Sequence, residues 1–253
     1  MSTNIAPGTF TPAPQRASAW SMAKSQGRIE AKLMLRHGEQ FVLNMLIPLA
    51  LLIAGDKLPF SGDVQLDDLV PMVLAIAATG SGFSGQAIAV AFDRRYGALK
   101  RAGASGAPSW TIIAGKVLGV LTVVVVQIVI IAIAALLLGW HPSPLGLVVG
   151  IVPLIMGVAA FTSLGLLLGG TQSPEFVLAS ANLLWIVMLG IVGWVFYSLG
   201  LDNAGWWNLV PSVSLASGLD LSYRGAFPWL QSLILAGWTI VAAGAASRKF
   251  KFE

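Results

Sequence analysis

Long apolar blocks separated by short polar segments dominate the pattern along the chain. Five of them reach the ~20 residues that an α-helix needs to cross a hydrocarbon core of ~30 Å, and a shorter block precedes them. Because lipid offers no hydrogen-bond partner to an open backbone, the pattern predicts an all-α, polytopic membrane protein with six transmembrane helices. The six blocks are 41–55, 69–92, 111–139, 145–170, 176–201 and 227–246.

The first block is too short to cross a membrane by itself, and the distribution of positive charge decides how it is interpreted. Lys and Arg accumulate on the cytoplasmic side of membrane proteins. The cations before the first block and those after the second block therefore share a side, so an even number of crossings separates them. We predict that 41–55 crosses with the help of its flanks, that both termini are cytoplasmic, and that every Lys and Arg except Lys57 and Arg224 lies inside.

Composition supports this interpretation and excludes several function classes. Hydrophobic residues make up 56% of the chain and charged residues 10%, which is too few charges to cover a soluble domain of this length. The absence of cysteine excludes disulfides and thiolate metal sites, and the pattern predicts no metal site. The net charge of +4 comes from cations beside apolar blocks, so it indicates topology and not nucleic-acid binding.

Two segments with different characters precede the first block. Residues 1–18 are rich in Pro, Ser and Thr, which predicts a disordered cytoplasmic tail, and 19–253 then form a single transmembrane domain. Residues 20–40 predict a helix with a cation at every fourth position. Such a stripe beside apolar residues is typical of a helix that lies on an anionic membrane surface, and the alternative is a solvated helix that leads into the first span. The cations are Lys24, Arg28, Lys32 and Arg36.

The segment 202–226, on the predicted outer side, is too apolar for a free loop. It predicts one or two short re-entrant helices that dip back into the outer leaflet before the last span. Their polar groups have to be buried against protein, because lipid cannot satisfy them.

No source of energy is visible within the chain itself. The six predicted cores contain no charged group apart from Lys116, whose long stem we expect to let the ammonium group reach the membrane surface. The phosphate-binding pattern Gly-x-x-x-x-Gly-Lys-Ser/Thr is absent as well. If the protein drives transport uphill, the energy therefore has to enter through contact with another protein.

The polar break at 93–110 carries the clearest motif, and its sequence from 93 to 101 is DRRYGALKR. The order of an acid, bases, a Gly, a Leu and a Pro ahead of the third span resembles the loop between spans two and three of ABC exporter permeases. These permeases are the six-span subunits of bacterial drug, polysaccharide and lipid exporters. The residues that carry the resemblance are 93–101, Pro108, Gly115 and Lys116, with Asn208 and Pro211 in an Asn-x-x-Pro element before the last span.

The resemblance implies a function and a set of partners. In that family the loop forms a coupling helix in a cleft of a separate ATPase, and two permeases with two ATPases make up the exporter. This implies two ATPase subunits that hold ATP and Mg²⁺, a second permease that is the same or a different chain, no cofactor in this chain, and a place in the cytoplasmic membrane. Asn208 and Pro211 would belong to an outer gate. From charge alone, the cations of the loop could instead serve only to enforce topology. The residues implied in ATPase coupling are Asp93, Arg94, Arg95, Tyr96, Gly97, Leu99, Lys100 and Arg101.

Four polar residues inside the predicted spans are candidates for the translocation pathway. Hydrogen bonds between membrane helices, worth ~0.6–2 kcal/mol each, are the simpler interpretation of such side chains. Small residues such as Gly157, Gly165 and Gly169 predict close packing between helices. The four polar residues are Asn44, Gln86, Gln127 and Asn182.

Two other function classes remain open. The segments 82–85 and 103–106 match Gly-x-Ser-Gly, a motif of rhomboid-type intramembrane serine proteases, whose serine needs a histidine within hydrogen-bond reach. The only histidines are His37 and His141, and neither falls in a predicted span, so an enzyme is disfavoured. The other rival is an ion-coupled or passive transporter, which the neutral span cores disfavour.

Overall fold

The computed structural model describes residues 17–36, 38–57, 65–98 and 108–249. Within these ranges all regular elements are helical, which confirms the predicted all-α class. Most of the predicted disordered tail, 1–16, lies outside the described residues. In chain order the elements are α1 (Ala19–Arg36), α2 (Gly38–Lys57), α3 (Leu66–Thr79), a π-helical segment (Gly80–Gly85), α4 (Gln86–Arg95), α5 (Ser109–Leu138), α6 (Pro144–Thr171), α7 (Pro174–Ser198), a 3₁₀ turn (Gly205–Leu209), α8 (Pro211–Tyr223) and α9 (Trp229–Lys249).

Five helices in the described part of the chain are long and apolar enough to cross a membrane. Four of them are α5, α6, α7 and α9, and the fifth joins α3, the π segment and α4 into one helix from Leu66 to Arg95. Their limits lie within a few residues of five predicted blocks. The remaining block, 41–55, falls within α2, which extends it on both flanks to 20 residues, or about 30 Å of helix. α2 is not one of the five, so the sixth crossing stays a prediction.

The π segment interrupts the second predicted span where the sequence reads GSGFSG. Its glycines let α6 approach closely: a Cβ on Gly82 would lie 2.9 Å from the Cβ of Phe161. The glycines of α6 act in the same way. A Cβ on Gly165 would lie 2.7 Å from a carbonyl oxygen of the π segment, and one on Gly169 would lie 2.3 Å from the carbonyl oxygen of Ala87. The predicted close packing of small residues is therefore observed, and no larger side chain fits at these positions without a shift.

Capping residues explain the short turns on either side of α6. Ser143 accepts a hydrogen bond of 2.9 Å from the backbone N–H three residues further on, and Pro144 fills the first turn, where no N–H is needed. Ser173 and Pro174 repeat this arrangement at the start of α7. Gly139 ends α5 with a left-handed φ of 102°. These short connections make α5, α6 and α7 successive neighbours of alternating direction.

The segment before the last span folds into the 3₁₀ turn and α8, as the sequence predicts for short helices there. α8 is buried along most of its length. Its hydroxyl groups donate to carbonyl oxygens of neighbouring helices, Ser212 to Met188 at 3.1 Å and Ser214 to Gln231 at 3.2 Å. Protein groups therefore replace the water that a free loop would need.

α8 lies alongside the first half of α6. A Cβ on Gly146 would lie 2.8 Å from the Cα of Tyr223, and a Cβ on Gly157 would lie 2.8 Å from a methyl group of Leu215. The helical rise places these two contacts about 16 Å apart along α6. α8 thus lies beside α6 from about its first residue, Pro144, to about the middle of that helix.

α3 is the central helix of the bundle. Every residue from Leu69 to Thr79 is buried, and the helix packs against α2, α5, α6, α7 and α8. Its continuation through the π segment and α4 ends at Arg95, so the predicted loop at 93–110 begins on the most enclosed helix of the described part.

Candidate functional site

One ammonium group is sealed inside the protein near the start of α5. The side chain of Lys116 is 1% exposed, and its Nζ donates to Glu30 Oε1 at 2.7 Å and to Asp93 Oδ2 at 3.1 Å. We call these three residues the Lys116 cluster. The prediction that Lys116 extends to the membrane surface is wrong, because carboxylates from α1 and α4 meet its ammonium group within the protein.

Close contact between α1 and α5 positions the Glu30 carboxylate. A Cβ on Gly27 of α1 would lie 2.8 Å from Leu118, and a Cβ on Gly119 of α5 would lie 2.6 Å from the Cβ of Glu30. Small residues on both helices therefore bring the two backbones together. Gln26 completes the site by donating to Glu30 Oε1 at 2.9 Å.

The Lys116 cluster is a structural tie with a large energetic consequence. Its three members come from α1, α4 and α5, which are far apart in the chain. A buried charge that loses its partner costs about 3–5 kcal/mol, so the three helices are held in one arrangement while the ion pairs are intact. The cluster holds charge and has no reactive nucleophile, and among the described residues no group of His, Asp and Glu could hold a metal ion.

The first cations of the predicted coupling loop bind the turn between α6 and α7. Arg94 donates to the carbonyl oxygen of Gln172 at 2.6 Å and, more weakly, to that of Gly169 at 3.4 Å. A cation there also complements the negative end of the α6 dipole. Arg95 forms an exposed ion pair with Glu175 at 2.5 Å. The base of the loop is thus attached to α6 and α7 as well as to the Lys116 cluster.

Beyond these cations the loop turns outward. Tyr96 is 69% exposed, and its ring stacks on Phe92 with 6.2 Å between centroids. Gly97 has a left-handed φ of 70°, which a residue with a Cβ adopts only with strain. The other predicted coupling residues, Leu99, Lys100 and Arg101, lie outside the described residues. Contact with an ATPase stays a prediction for the whole set.

The four cations of the predicted interfacial helix share one exposed side of α1. All of them are exposed, whereas Ala23, Gly27, Glu30 and Ala31 are buried. The ammonium of Lys24 also lies 5.5 Å from the ring centre of Trp20. The stripe residues are Lys24, Arg28, Lys32 and Arg36.

The polar residues predicted inside the spans meet at the π segment. Ser81 donates to Gln127 at 2.9 Å, and Ser84 donates to Asn182 at 2.9 Å, which confirms the helix–helix hydrogen bonds expected of these two amides. Gln86 donates to the sulfur of Met34 at 3.5 Å. Asn44 faces the same segment, since a Cβ on Gly80 would lie 3.7 Å from its Oδ1.

A second ionic cluster lies at the other end of the same central helix. Arg224 donates both to Asp68, near the start of α3, and to Asp220 in α8 at 3.1 Å. Asp220 is buried, and this burial raises the pKa of its carboxyl group, while the bonds from Arg224 oppose the rise. We call these three residues the Arg224 cluster. It ties α8 to α3.

The predicted outer-gate residues lie at the start of α8, at the opposite end of that helix from Asp220 and Arg224. Asn208 is buried and donates to the carbonyl oxygen of Gly205 at 3.0 Å. Pro211 occupies the first turn of α8 and is also buried. Both help to form the join between the 3₁₀ turn and α8, and their role in a gate stays a prediction.

The geometry gives the protease hypothesis no support. The hydroxyl group of Ser84 donates to Asn182, which is not a base. His141 lies exposed in the turn between α5 and α6, and both His37 and Ser105 lie outside the described residues.

Sequence reasoning missed both ionic clusters. The signal for Glu30 was present, because it is the one acidic residue of α1 and shares a face with small residues. Gly115 and Gly119, four residues apart in α5, marked the matching surface. For Arg224 and Asp220, their i, i+4 spacing was the available signal.

The family model for ABC-2 type transporters matches residues 26–217, which include the Lys116 cluster, the predicted coupling loop and about half of α8. No sequence among the curated proteins compared matches the chain. The match covers far more than half of the chain, and the five apolar helices agree with a multi-pass membrane protein. The chain therefore belongs to the ABC-2 type transporter family, whose membrane domain is the permease component of an ABC transporter.

Proposed function

We propose that this chain is the permease subunit of an ATP-driven exporter and forms half of the translocation pathway. A separate ATPase binds the loop after Arg95. The observation that carries the proposal is the attachment of that loop. Asp93 at its base is ion-paired to Lys116, and through Lys116 to Glu30. A force applied to the loop would reach α1, α4 and α5 through ion pairs that are costly to break.

The loop also has a route to the fourth and fifth predicted spans. Arg94 binds the last carbonyl oxygens of α6, and Arg95 pairs with Glu175 in α7. The exposed Tyr96 would provide an apolar anchor for a partner, together with Leu99 further along the loop. The ATPase would supply ATP and Mg²⁺, since this chain lacks the phosphate-binding motif.

The topology we propose has six crossings, with α2 as the first and both termini in the cytoplasm. The length of α2 supports this, since its 20 residues cover about 30 Å. The chain has no cysteine, so the reactivity of a single introduced cysteine shows on which side of the membrane that residue lies. We expect Lys57→Cys to react with a membrane-impermeant maleimide on intact cells and Ser25→Cys to react only after lysis. Reaction of both residues from the same side would exclude α2 as a crossing.

The pathway would lie between this permease and a second one, which is a copy or a different chain. Asn182 supports this placement, because it is exposed about 12 Å from the start of α7. Its Oδ1 accepts from Ser84, and a pathway or a second permease would satisfy its NH₂ group, which is unfavourable in lipid at that depth. Asn44 of α2 is half-buried and faces the π segment to which Ser84 belongs. The buried helix α8, with Asn208 and Pro211 at its start, would be re-entrant and form part of an outer gate.

Substitutions in the loop test the proposal. Leu99→Asp places a charge where we expect an apolar anchor, and Gly97→Pro forces φ to about −65° where the backbone has 70°. We expect each variant to reach the membrane in normal amounts but to bind the ATPase at least ~30-fold more weakly, as for a residue worth ~2 kcal/mol in an interface. The matched control is Asn203→Asp, an exposed position at the other end of the bundle.

The readouts are recovery of the ATPase in mild detergent and ATP turnover in proteoliposomes. If both loop variants retain the partner and wild-type turnover, the coupling role is refuted. If the wild-type chain never recovers an ATPase, the proposed function as a whole is refuted.

A further inference from the structure

α1 presents an exposed surface that the coupling role leaves unexplained. Four cations, Lys24, Arg28, Lys32 and Arg36, lie on the side turned away from α5. Large apolar side chains are exposed on the same helix, among them Trp20 at 53%, Ile29 at 55% and Leu33 at 48%. A surface that combines a cationic stripe with exposed apolar groups fits an anionic lipid layer better than it fits water.

The depth of α1 along α5 agrees with a lipid partner. The contacts that hold α1 fall on Gly115 and Gly119 of α5, which are about 9–15 Å from the start of that helix. α5 has 30 residues and is therefore about 45 Å long, which exceeds a ~30 Å hydrocarbon core by about 7 Å at each end. Gly115 and Gly119 therefore lie about 2–8 Å inside the hydrocarbon core, and the start of α1, beside Gly115, is the part of that helix nearest the head groups.

The same helix carries Glu30 on its buried side. Arg28 and Lys32 lie two residues before and two residues after Glu30, so a shift of the stripe moves the carboxylate with it. Glu30 contacts Lys116 at 2.7 Å, and Lys116 contacts Asp93 at 3.1 Å. Two ion pairs therefore separate the exposed cations from the base of the coupling loop.

We propose that α1 binds anionic phospholipid head groups through this stripe. When lipid binds, the shift of α1 is transmitted through the Lys116 cluster to the coupling loop. The charge of the membrane surface then sets the ATP turnover of the transporter. The second half of this inference rests on the proposed function, and the first half does not. The lipid is recognised by its negative charge, and removal of one cation near such a surface weakens the association about fivefold.

The experiment has one readout for each half. An environment-sensitive fluorophore on Ser25→Cys, an exposed position of α1, reports where the helix lies. The labelled chain is reconstituted alone and with its copurified ATPase. The vesicles consist of phosphatidylcholine, or of phosphatidylcholine in which part is replaced by phosphatidylglycerol. ATP turnover of the complex is measured in both kinds of vesicle.

We expect phosphatidylglycerol to shift the emission of the fluorophore, with or without the ATPase, and to change the turnover of the complex. Arg28→Gln should weaken the lipid response about fivefold in both readouts. Arg248→Gln, an exposed cation of α9, should leave both responses unchanged. Glu30→Gln should keep the emission shift and lose the response of turnover, because it removes the charge that α1 offers to Lys116.

Each contrary result overturns a defined part. No emission shift with phosphatidylglycerol, or an equal loss in Arg248→Gln, refutes lipid binding by the stripe. An emission shift caused by the ATPase in phosphatidylcholine alone assigns the stripe to that protein and also refutes lipid binding. A full turnover response in Glu30→Gln refutes transmission through the Lys116 cluster. A normal emission shift without any recoverable ATPase leaves the lipid site standing and counts against the proposed function.

Discussion

Replacing Lys116 by Met isolates the contribution of one buried charge. Met has nearly the same length and fills the same space, so the loss is mainly electrostatic. The change leaves Glu30, 7% exposed, beside the carboxylate of Asp93 with no cation between them. Removing one partner of a buried ion pair costs about 3–5 kcal/mol, and we expect Lys116→Met to lower the free energy of unfolding by that amount.

The geometry also predicts how the two carboxylates differ. The oxygen of Glu30 is the closer one, at 2.7 Å against 3.1 Å, and its side chain is 9% exposed, whereas that of Asp93 is 37% exposed. Water therefore solvates the Asp93 carboxylate and screens its ion pair with Lys116 more than it screens the pair of Glu30 with Lys116. We expect Glu30→Gln to destabilise the protein more than Asp93→Asn, for which the partly exposed pair predicts about 1 kcal/mol.

The measurement is unfolding in mixed micelles of detergent and SDS. Arg248→Met removes an exposed cation from α9, outside the stripe, and is the matched control, expected within about 0.5 kcal/mol of wild type. The double variant Glu30→Gln/Lys116→Met should lose less than the sum of the single variants by about 0.5–3 kcal/mol, because both partners are then absent. A Lys116→Met protein within ~1 kcal/mol of wild type, or strictly additive losses, would refute the reasoning.

Two further predictions concern packing and the Arg224 cluster. Gly169→Ala should lower the melting temperature strongly, because the new Cβ would clash with the carbonyl oxygen of Ala87. Gly190→Ala is the control and should not, because nothing lies within 4 Å of its Cβ. Equal melting temperatures for the two variants would contradict this. Arg224→Gln should destabilise more than Asp68→Asn, because it leaves the buried Asp220 without its cation. Burial raises the folded-state pKa of Asp220. The free energy of unfolding of Arg224→Gln should therefore fall as pH rises through that pKa. If Arg224→Gln is destabilised equally at acidic and alkaline pH, this prediction is contradicted.

The helices of this protein could be predicted from sequence because each one is encoded locally. Runs of apolar residues set the spans, and signals such as Ser143-Pro144 and Ser173-Pro174 set where they begin. The cations on both sides of the first two blocks require an even number of crossings between them, which predicts that 41–55 extends into its flanks, and α2 does run beyond both ends of that block. The π segment was missed, because glycines inside a span indicate close packing without specifying how the helix winds.

The Lys116 cluster could not be predicted in the same way, because its members are brought together only by the packing of helices. Glu30 and Lys116 are 86 residues apart, and Asp93 is 23 residues from Lys116. A lone Lys near the end of an apolar block has a simple local solution, which is to extend toward water. Only the close approach of α1 through Gly27 makes burial possible, and that contact depends on two helices at once.

The helix from Leu66 to Arg95 connects the two ionic clusters. Asp68 near its start is paired with Arg224, and Asp93 near its end is paired with Lys116. Between them the π segment is held by neutral hydroxyl–amide bonds, each worth ~0.6–2 kcal/mol between membrane helices. These bonds are weaker than a buried ion pair whose partner is removed, which costs about 3–5 kcal/mol. Loss of a partner is therefore most costly at the end that includes the buried Lys116, whereas the exposed pair of Asp68 with Arg224 at the other end contributes about 1 kcal/mol or less.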